Sequence, residues 1–298
     1  MPNIIALASN YTDLLDEVFK GASVTAQLAG DVRFTREGAN ARTIYYPAIE
    51  TTGLGDYNRN TGYPSGGVSV SWKSAEFNYD RGTKIMVDVM DDQETFNIAA
   101  GRAGAHLMRT KVAPEADAFT FATLAGLTGI TTPAAAELAN AGAFLAALQA
   151  AEDELDDLEV PATDRHLYAI PALINSLNTL DSYKSQKVMQ DFASVNKVPK
   201  SRFISAIEML DGTSENELDG GYVPASGAVY LNFMILYKPA LIKYDKHVAN
   251  VPIAPDQNPN ADAYIIKYRK YGIVDAYYNQ RAGIYVHKSL TSAGTGSN

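Results

Sequence analysis

From Thr51 to Gly67 the chain gives a folding core almost nothing to bury. The stretch TTGLGDYNRNTGYPSGG has Leu54 as its single aliphatic residue and is otherwise rich in Gly, Asn, Thr and Tyr. Strand patterns flank it. Arg42 to Ile49 reads as a strand before it, and after it Val68, Val70 and Trp72 alternate, followed by Phe77 and Tyr79 and then by Ile85, Val87 and Val89. Residues 52 to 82 therefore read as a long, polar, glycine-bearing hairpin. A two-stranded hairpin alone is at best marginally stable in water, so one this long must lie against something else. The expected support is a second subunit, with Tyr57, Tyr63, Trp72, Phe77 and Tyr79 as anchors. Tyrosine joins an apolar face to a polar tip and is enriched at interfaces. The 18 tyrosines fit that expectation, although a tyrosine-rich sheet core would explain them equally well.

Composition narrows the function classes. The 298 residues suit one elaborate domain or two lobes sharing a core. With no cysteine, disulfides, thiolate metal sites and cysteine nucleophiles are excluded. A formal charge of -9 opposes general attraction to DNA, because neutralising phosphates needs clustered Lys and Arg. A container wall is a different matter, since weak contact keeps the cargo from sticking. No run approaches the roughly 18 apolar residues of a spanning helix, and Met1-Pro2-Asn3-Ile4 lacks a signal-peptide start. No membrane association is expected, and synthesis should be cytoplasmic.

The remaining chain alternates helix and strand. Tyr11, Leu14, Leu15, Val18 and Phe19 form one apolar helical face. Asp91 reads as an N-cap with Glu94 three residues on, opening a helix from Asp92 to Thr110 of roughly 28 Å. Pro114 should break that helix and start another through Phe121 and Leu124. Phe144, Leu148, Ala151, Leu155 and Leu158 mark a helix with an acidic far face, ended by Pro161. A strand follows at Arg165 to Ile170, then a helix from Pro171, a strand from Ser201 to Leu210, an acidic loop, and a buried strand at Val229 to Tyr237. Strands return over 264 to 287 and should rejoin the early ones.

Catalytic patterns are missing. His106, His166, His247 and His287 lack metal-site spacing, and the acidic run Glu152 to Glu159 reads as a solvated helix face. Gly53-Leu54-Gly55 has no third glycine, and no nucleophile elbow or phosphate loop occurs. Asn10-Tyr11-Thr12 fits a glycosylation acceptor only by chance, given no secretion signal. No metal, cofactor or catalytic residue is expected, and the chain does not read as an enzyme.

Two stretches carry a resemblance. The first runs Asp80-Arg81-Gly82, then Val87-Asp88-Val89-Met90-Asp91-Asp92-Gln93-Glu94-Thr95, Arg109, and Val112-Ala113-Pro114-Glu115-Ala116-Asp117-Ala118. The second runs Asn258-Pro259-Asn260-Ala261-Asp262-Ala263-Tyr264, Tyr268-Arg269-Lys270-Tyr271, and Gly283-Ile284-Tyr285. Together they resemble the major capsid proteins of tailed bacteriophages, which have the fold named after phage Hong Kong ninety-seven, shared with encapsulins.

The resemblance implies an α+β fold with an N-terminal arm, an extended β-hairpin loop, a long spine helix, peripheral β-strands and a mixed α/β axial lobe. It places the arm and first strand at 1 to 50 and the extended loop at 51 to 84. The peripheral domain with the spine helix falls at 85 to 136 and 251 to 298, and the axial domain at 137 to 250.

The implied function is self-assembly as pentamers and hexamers into an icosahedral shell around double-stranded DNA, which is contacted non-specifically. A separate scaffolding protein and a portal are implied, with room for a decoration protein, and with procapsid maturation and residence in the virion after assembly in the host cytoplasm. Tyr11 and Phe19 join the contact candidates. An encapsulin-like nanocompartment wall is the close alternative, and a mixed α/β enzyme a remote one. Some family members cross-link a loop lysine to a neighbour, which makes Lys73 and Lys84 cross-link candidates. Intact-mass analysis of denatured shells is expected to give monomer mass alone, and a ladder of covalent multimers would assign the cross-link.

Overall fold

The computed structural model describes residues 23–30, 36–37, 42–94, 104–179 and 183–294. Tyr11, Phe19 and much of the helix expected over Asp92 to Thr110 lie outside them. The architecture is α+β. Among the described residues the strands form four sheets, all antiparallel apart from one parallel pair.

The first sheet is a ribbon. Strand β2 (Thr43–Thr51) pairs with β3 (Val68–Glu76) in a register running from Thr43 opposite Glu76 to Thr51 opposite Val68. The short β1 (Arg36–Glu37) lies on the far edge of β2. After Phe77 and Asn78 the chain enters β4 (Tyr79–Asp88), which leaves the ribbon for the body of the protein. The hairpin is thus 43–76 rather than 52 to 82. It takes in the strand expected to close the arm and gives up the strand at 79–88. Ile44, Tyr46 and Ala48 decide this, because they bury one face of β2 and hold it beside β3.

β4 pairs with β11 (Ala263–Ala276), and β11 with β10 (Leu241–Ile253). Gly82 permits the close approach of β4 to β11, since a Cβ there would sit 2.8 Å from the Tyr268 carbonyl oxygen. β4 runs into α1 (Val89–Glu94), capped by Asp88, whose Oδ1 accepts from the Met90 N–H at 2.9 Å. The expected cap at Asp91 falls inside this helix, because Val89 and Met90 already turn.

Residues 104–107 are helical, a π-helical turn follows at Met108–Val112, and α2 (Ala113–Ala125) continues without interruption. Pro114 does not break the helix. The Ala113 N–H bonds back five residues to Met108, and this wider turn absorbs the proline's missing donor and the bulk of its ring.

The core lies around a four-stranded sheet in the order β12 (Ile284–Ser292), β9 (Val229–Tyr237), β5 (Arg165–Ala169), β6 (Ser194–Lys197). On one face Phe121 and Leu124 of α2 meet Tyr168, Leu231, Met234, Leu236 and Val286. On the other, α3 (Ala141–Asp157), α4 (Pro171–Thr179) and α5 (Tyr183–Gln190) cover Leu167, Phe233 and Ile235. Burial on both sides is why β9 is apolar nearly throughout. Asn140 caps α3 through the Ala143 N–H at 2.8 Å, and Phe144, Leu148, Ala151 and Leu155 are fully buried as their spacing predicts, whereas Leu158, expected on the same face, caps the helix end and is exposed.

Two expectations shift. The closing segment divides, with β11 beside the early β4 and β12 crossing to the edge of the central sheet next to β9. The strand expected over 201 to 210 shrinks to β7 (Ile207–Met209), because Phe203 is drawn into the core against Phe121, ring centroids 4.9 Å apart. β7 pairs with β8 (Tyr222–Pro224) around the acidic loop.

Phe121→Ala should cost the isolated chain about 3–5 kcal/mol in urea unfolding. Leu54→Ala, on a fully exposed side chain, should stay within about 0.5 kcal/mol.

Candidate assembly interface

A strand presents alternate residues to opposite sides. In the ribbon Ile44, Tyr46, Ala48 and Ala75 share one face, and Ile44, Tyr46 and Ala75 seat it on Ile242 of β10 and Ile273 of β11. Tyr46 meets Tyr277 edge-on at 5.1 Å. The opposite face is bare. There Val68, Val70 and Trp72 of β3 lie across from Thr51, Ile49 and Pro47 of β2, and Val68, Val70, Trp72 and Ile49 are each more than half exposed. The sheet pairing concentrates these side chains into one apolar stripe, the kind of patch that marks an interaction surface.

Beyond the stripe the tip is closed by its own backbone. Thr52 and Gly67 bond across its neck, and Asn58 and Gly62 exchange bonds of 3.2 and 2.7 Å around the turn. Gly62, with φ +81°, adopts the left-handed conformation that this turn needs and that glycine tolerates. The Tyr57 and Tyr63 rings meet at 4.9 Å. The tip is ordered by these bonds, yet Tyr63 remains 87% exposed.

The sequence-predicted contact residues separate accordingly. Tyr57, Tyr63 and Trp72 are presented to solvent on the ribbon. Phe77 stacks on Tyr271 at 4.8 Å, and Tyr79 is buried against Phe119 with its hydroxyl donating to Glu115 Oε1 at 3.2 Å. Both therefore anchor the ribbon to its own subunit, since the chain turns into the body between them. Burial, reinforced by the Glu115 carboxylate, pushes the Tyr79 hydroxyl well above its usual pKa. Lys73 lies over the Tyr278 ring at 4.5 Å, and Lys84 is exposed on β4 opposite Lys267.

Sequence reasoning did not single out two carboxylates that fasten the ribbon's surroundings. Glu115 of α2 accepts from Arg81 Nε at 2.8 Å, while the other Arg81 nitrogens donate to the carbonyls of Leu210 (2.7 Å) and Gly221 (3.2 Å). One guanidinium thus ties β4 to α2 and to both ends of the loop between β7 and β8. Asp117, fully buried, accepts from the Ser23 and Thr25 hydroxyls, the Val24 and Thr25 N–H groups and Arg202. Lys243 Nζ in turn donates to the backbone carbonyl of Thr25 at 2.8 Å. The incoming chain is therefore clamped where it meets the body. The available signal was two acids in the otherwise apolar helix APEADAFTFATLA.

Among the described residues no group of His, Asp or Glu is placed to hold a metal ion, and no helix is long and apolar enough to cross a membrane. A groove of about 740 Å³ runs between β4, residues 107–115 and the loop 211–222.

No protein-family model matches the chain, and no curated protein is similar to it in sequence. Solved structures are similar in fold. The capsid of Myoviridae phage XM1 aligns over 90% of this chain and 92% of its own, with a TM-score of 0.53 at 10% identity. A structure from Mycobacterium phage Che8 aligns over 85% and 86%, with a TM-score of 0.54 at 12% identity. The virus-like particle from Pyrococcus furiosus aligns over 92% and 95%, with a TM-score of 0.56 at 11% identity. The chain has the tailed-phage major capsid fold.

Lys243 generates a pH prediction within this capsid fold. Burial, then the nearby Lys270 ammonium, lowers its pKa to about 7, against the opposing pull of Asp117 and Asp245. An unfolded lysine titrates near 10.4. Between these values the unfolded chain binds more protons, so the Lys243 contribution to stability is complete only above about pH 10.4 and is lost as pH falls through about 7. Hydrogen exchange of the Ser23–Gly30 segment should slow as pH rises from about 7 to about 9, after correction for intrinsic rates. Lys243→Met should flatten that dependence.

Proposed function

We propose that this chain is the wall-forming subunit of an icosahedral shell, the major capsid protein of a tailed phage, assembling as pentamers and hexamers around double-stranded DNA. The observation that carries this reading is the ribbon, seated by one face on its own body and bare along the other. Closed shells engage many such contacts at once, so each need be only modest. Trp72, Val70 and Val68 are the anchors assigned to the neighbour-facing side, each worth roughly 1.5–3 kcal/mol when fully buried.

The acidic balance of the chain suits a wall that touches packaged DNA without gripping it. A scaffolding protein and a portal belong to this reading, as do assembly in the host cytoplasm and a place for a decoration protein. Two of the three structures described above come from phages, which favours a genome container over an encapsulin-like compartment.

Negative-stain microscopy of the purified protein, alone and co-expressed with neighbouring gene products, is the direct test. Closed particles are expected, with nucleic acid inside those made during infection. Trp72→Asp should leave the far-UV spectrum unchanged and abolish the particles. A wild-type protein that stays monomeric at every concentration, with or without those products, would overturn the proposal.

A further inference from the structure

We infer that His166, Ser194 and Gln27 form a proton-operated latch, which holds the incoming chain on the central sheet while the imidazole is neutral and loosens when it takes up a proton. The three meet where Gln27 crosses the edge of that sheet. His166 and Tyr168 of β5 lie opposite Ser194 and Asn196 of β6 in register, and all four point to one side. Ser194 Oγ is the hub. It stands 2.7 Å from His166 Nδ1, 2.8 Å from Asn196 Nδ2 and 3.2 Å from Gln27 Nε2, and Gln27 Nε2 also donates to the Tyr168 hydroxyl at 2.8 Å.

A hydroxyl has one proton to give and two lone pairs to fill. Both amide nitrogens can only donate, so they fill the lone pairs, and the Ser194 proton goes to His166 Nδ1. The ring is therefore neutral, with its own proton on Nε2. That atom is sealed from solvent and has no hydrogen-bond partner among the described residues. A second ring proton, on Nδ1, would face an oxygen with no lone pair left, and the serine proton would lose its acceptor. One amide must then withdraw. The Gln27 bond is the longer of the two, so Gln27 yields and is left on Tyr168 alone. Gln27 belongs to the helical turn Ala26–Leu28, whose Leu28 is buried in the core, so the turn loosens with it.

The surroundings set the direction. Burial, then Lys238 after β9, lowers the His166 pKa, against the pull of Asp164 before β5. Arg165 of β5 and Lys197 of β6 are turned away, to Asp156 and to Asn175 of α4. An unfolded histidine titrates near 6.5. Below that value the unfolded chain binds more protons, so the latch contributes fully above about pH 6.5 and is lost as pH falls through the lower folded value. The Lys243 step, at about 7, lies higher.

Deuterium exchange read by mass spectrometry tests this on the full chain, assembled or not. Amide exchange at Gln27, Leu28 and Ala29, corrected for intrinsic rates, should quicken about tenfold between about pH 6.5 and about pH 5. His166→Asn keeps an acceptor near the Nδ1 position but cannot titrate, and should abolish that dependence. Lys243→Met should leave it in place. The reciprocal effect is read at the ring itself. Gln27 and the added proton compete for one oxygen, so Gln27→Ala should move the His166 titration, followed by exchange at its imidazole C2 carbon, about one pH unit upward. A merely structural Gln27 would not move it, and this measurement stands even where His166→Asn fails to fold. Exchange that stays flat over that range, a dependence that survives His166→Asn or disappears in Lys243→Met, or a His166 titration indifferent to Gln27→Ala would each overturn the latch.

Discussion

A β-strand has two sides, and a ribbon projecting from a globule can lay only one of them on its own body. Much of this chain's construction follows from that limit. Ile44, Tyr46 and Ala75 spend one side on Ile242 and Ile273, and Val68, Val70 and Trp72 are left on the other. A monomeric enzyme would ordinarily cover or charge such a stripe. Here the sequence keeps it apolar and closes the tip with backbone bonds, which holds the shape of the stripe without covering it.

α2 supplies the anchorage that the ribbon lacks. α2 is buried on nearly every side, so its two acids cannot be solvated and must be bonded. Glu115 takes Arg81 from the strand that follows the ribbon, and Asp117 takes the chain arriving at Ser23 to Thr25. These charge-assisted bonds link segments far apart in sequence. Breaking either would leave a buried charge unpaired, a cost of roughly 3–5 kcal/mol where both partners are well buried and less at the partly exposed Arg81. The protruding parts are thus fastened through the helix that lies deepest.

Much of this was legible in the residues. Period-two alternation located the strands, the apolar spacing of Phe144 to Leu155 located α3, and the run at Val229 to Tyr237 announced a strand buried on both faces. The glycine- and tyrosine-bearing stretch after Thr51 marked the projecting element. What escaped were choices between partners. Alternation states that β2, β3 and β4 are strands, but not that β2 rather than β4 lies beside β3, because that depends on which face finds Ile242 and Ile273. Tyr79 and Trp72 look alike as aromatic residues near a turn, and only the path of the chain sends one inward. Pro114 misled because the rule assumes α-helical spacing, and the wider turn before it evades the rule.

That wider turn has a mechanical consequence. A π turn stores one surplus residue in the helical ladder, and a single residue of α-helix corresponds to about 100° of rotation about the axis. The residues upstream of Met108 are therefore phased differently from those of α2 than an unbroken helix would allow. Moving the surplus along the ladder would re-aim the upstream side chains while Glu115 and Asp117 kept their bonds. Such a joint would let the helical turn before Met108 rotate about the axis while α2 stays fixed by its bonds.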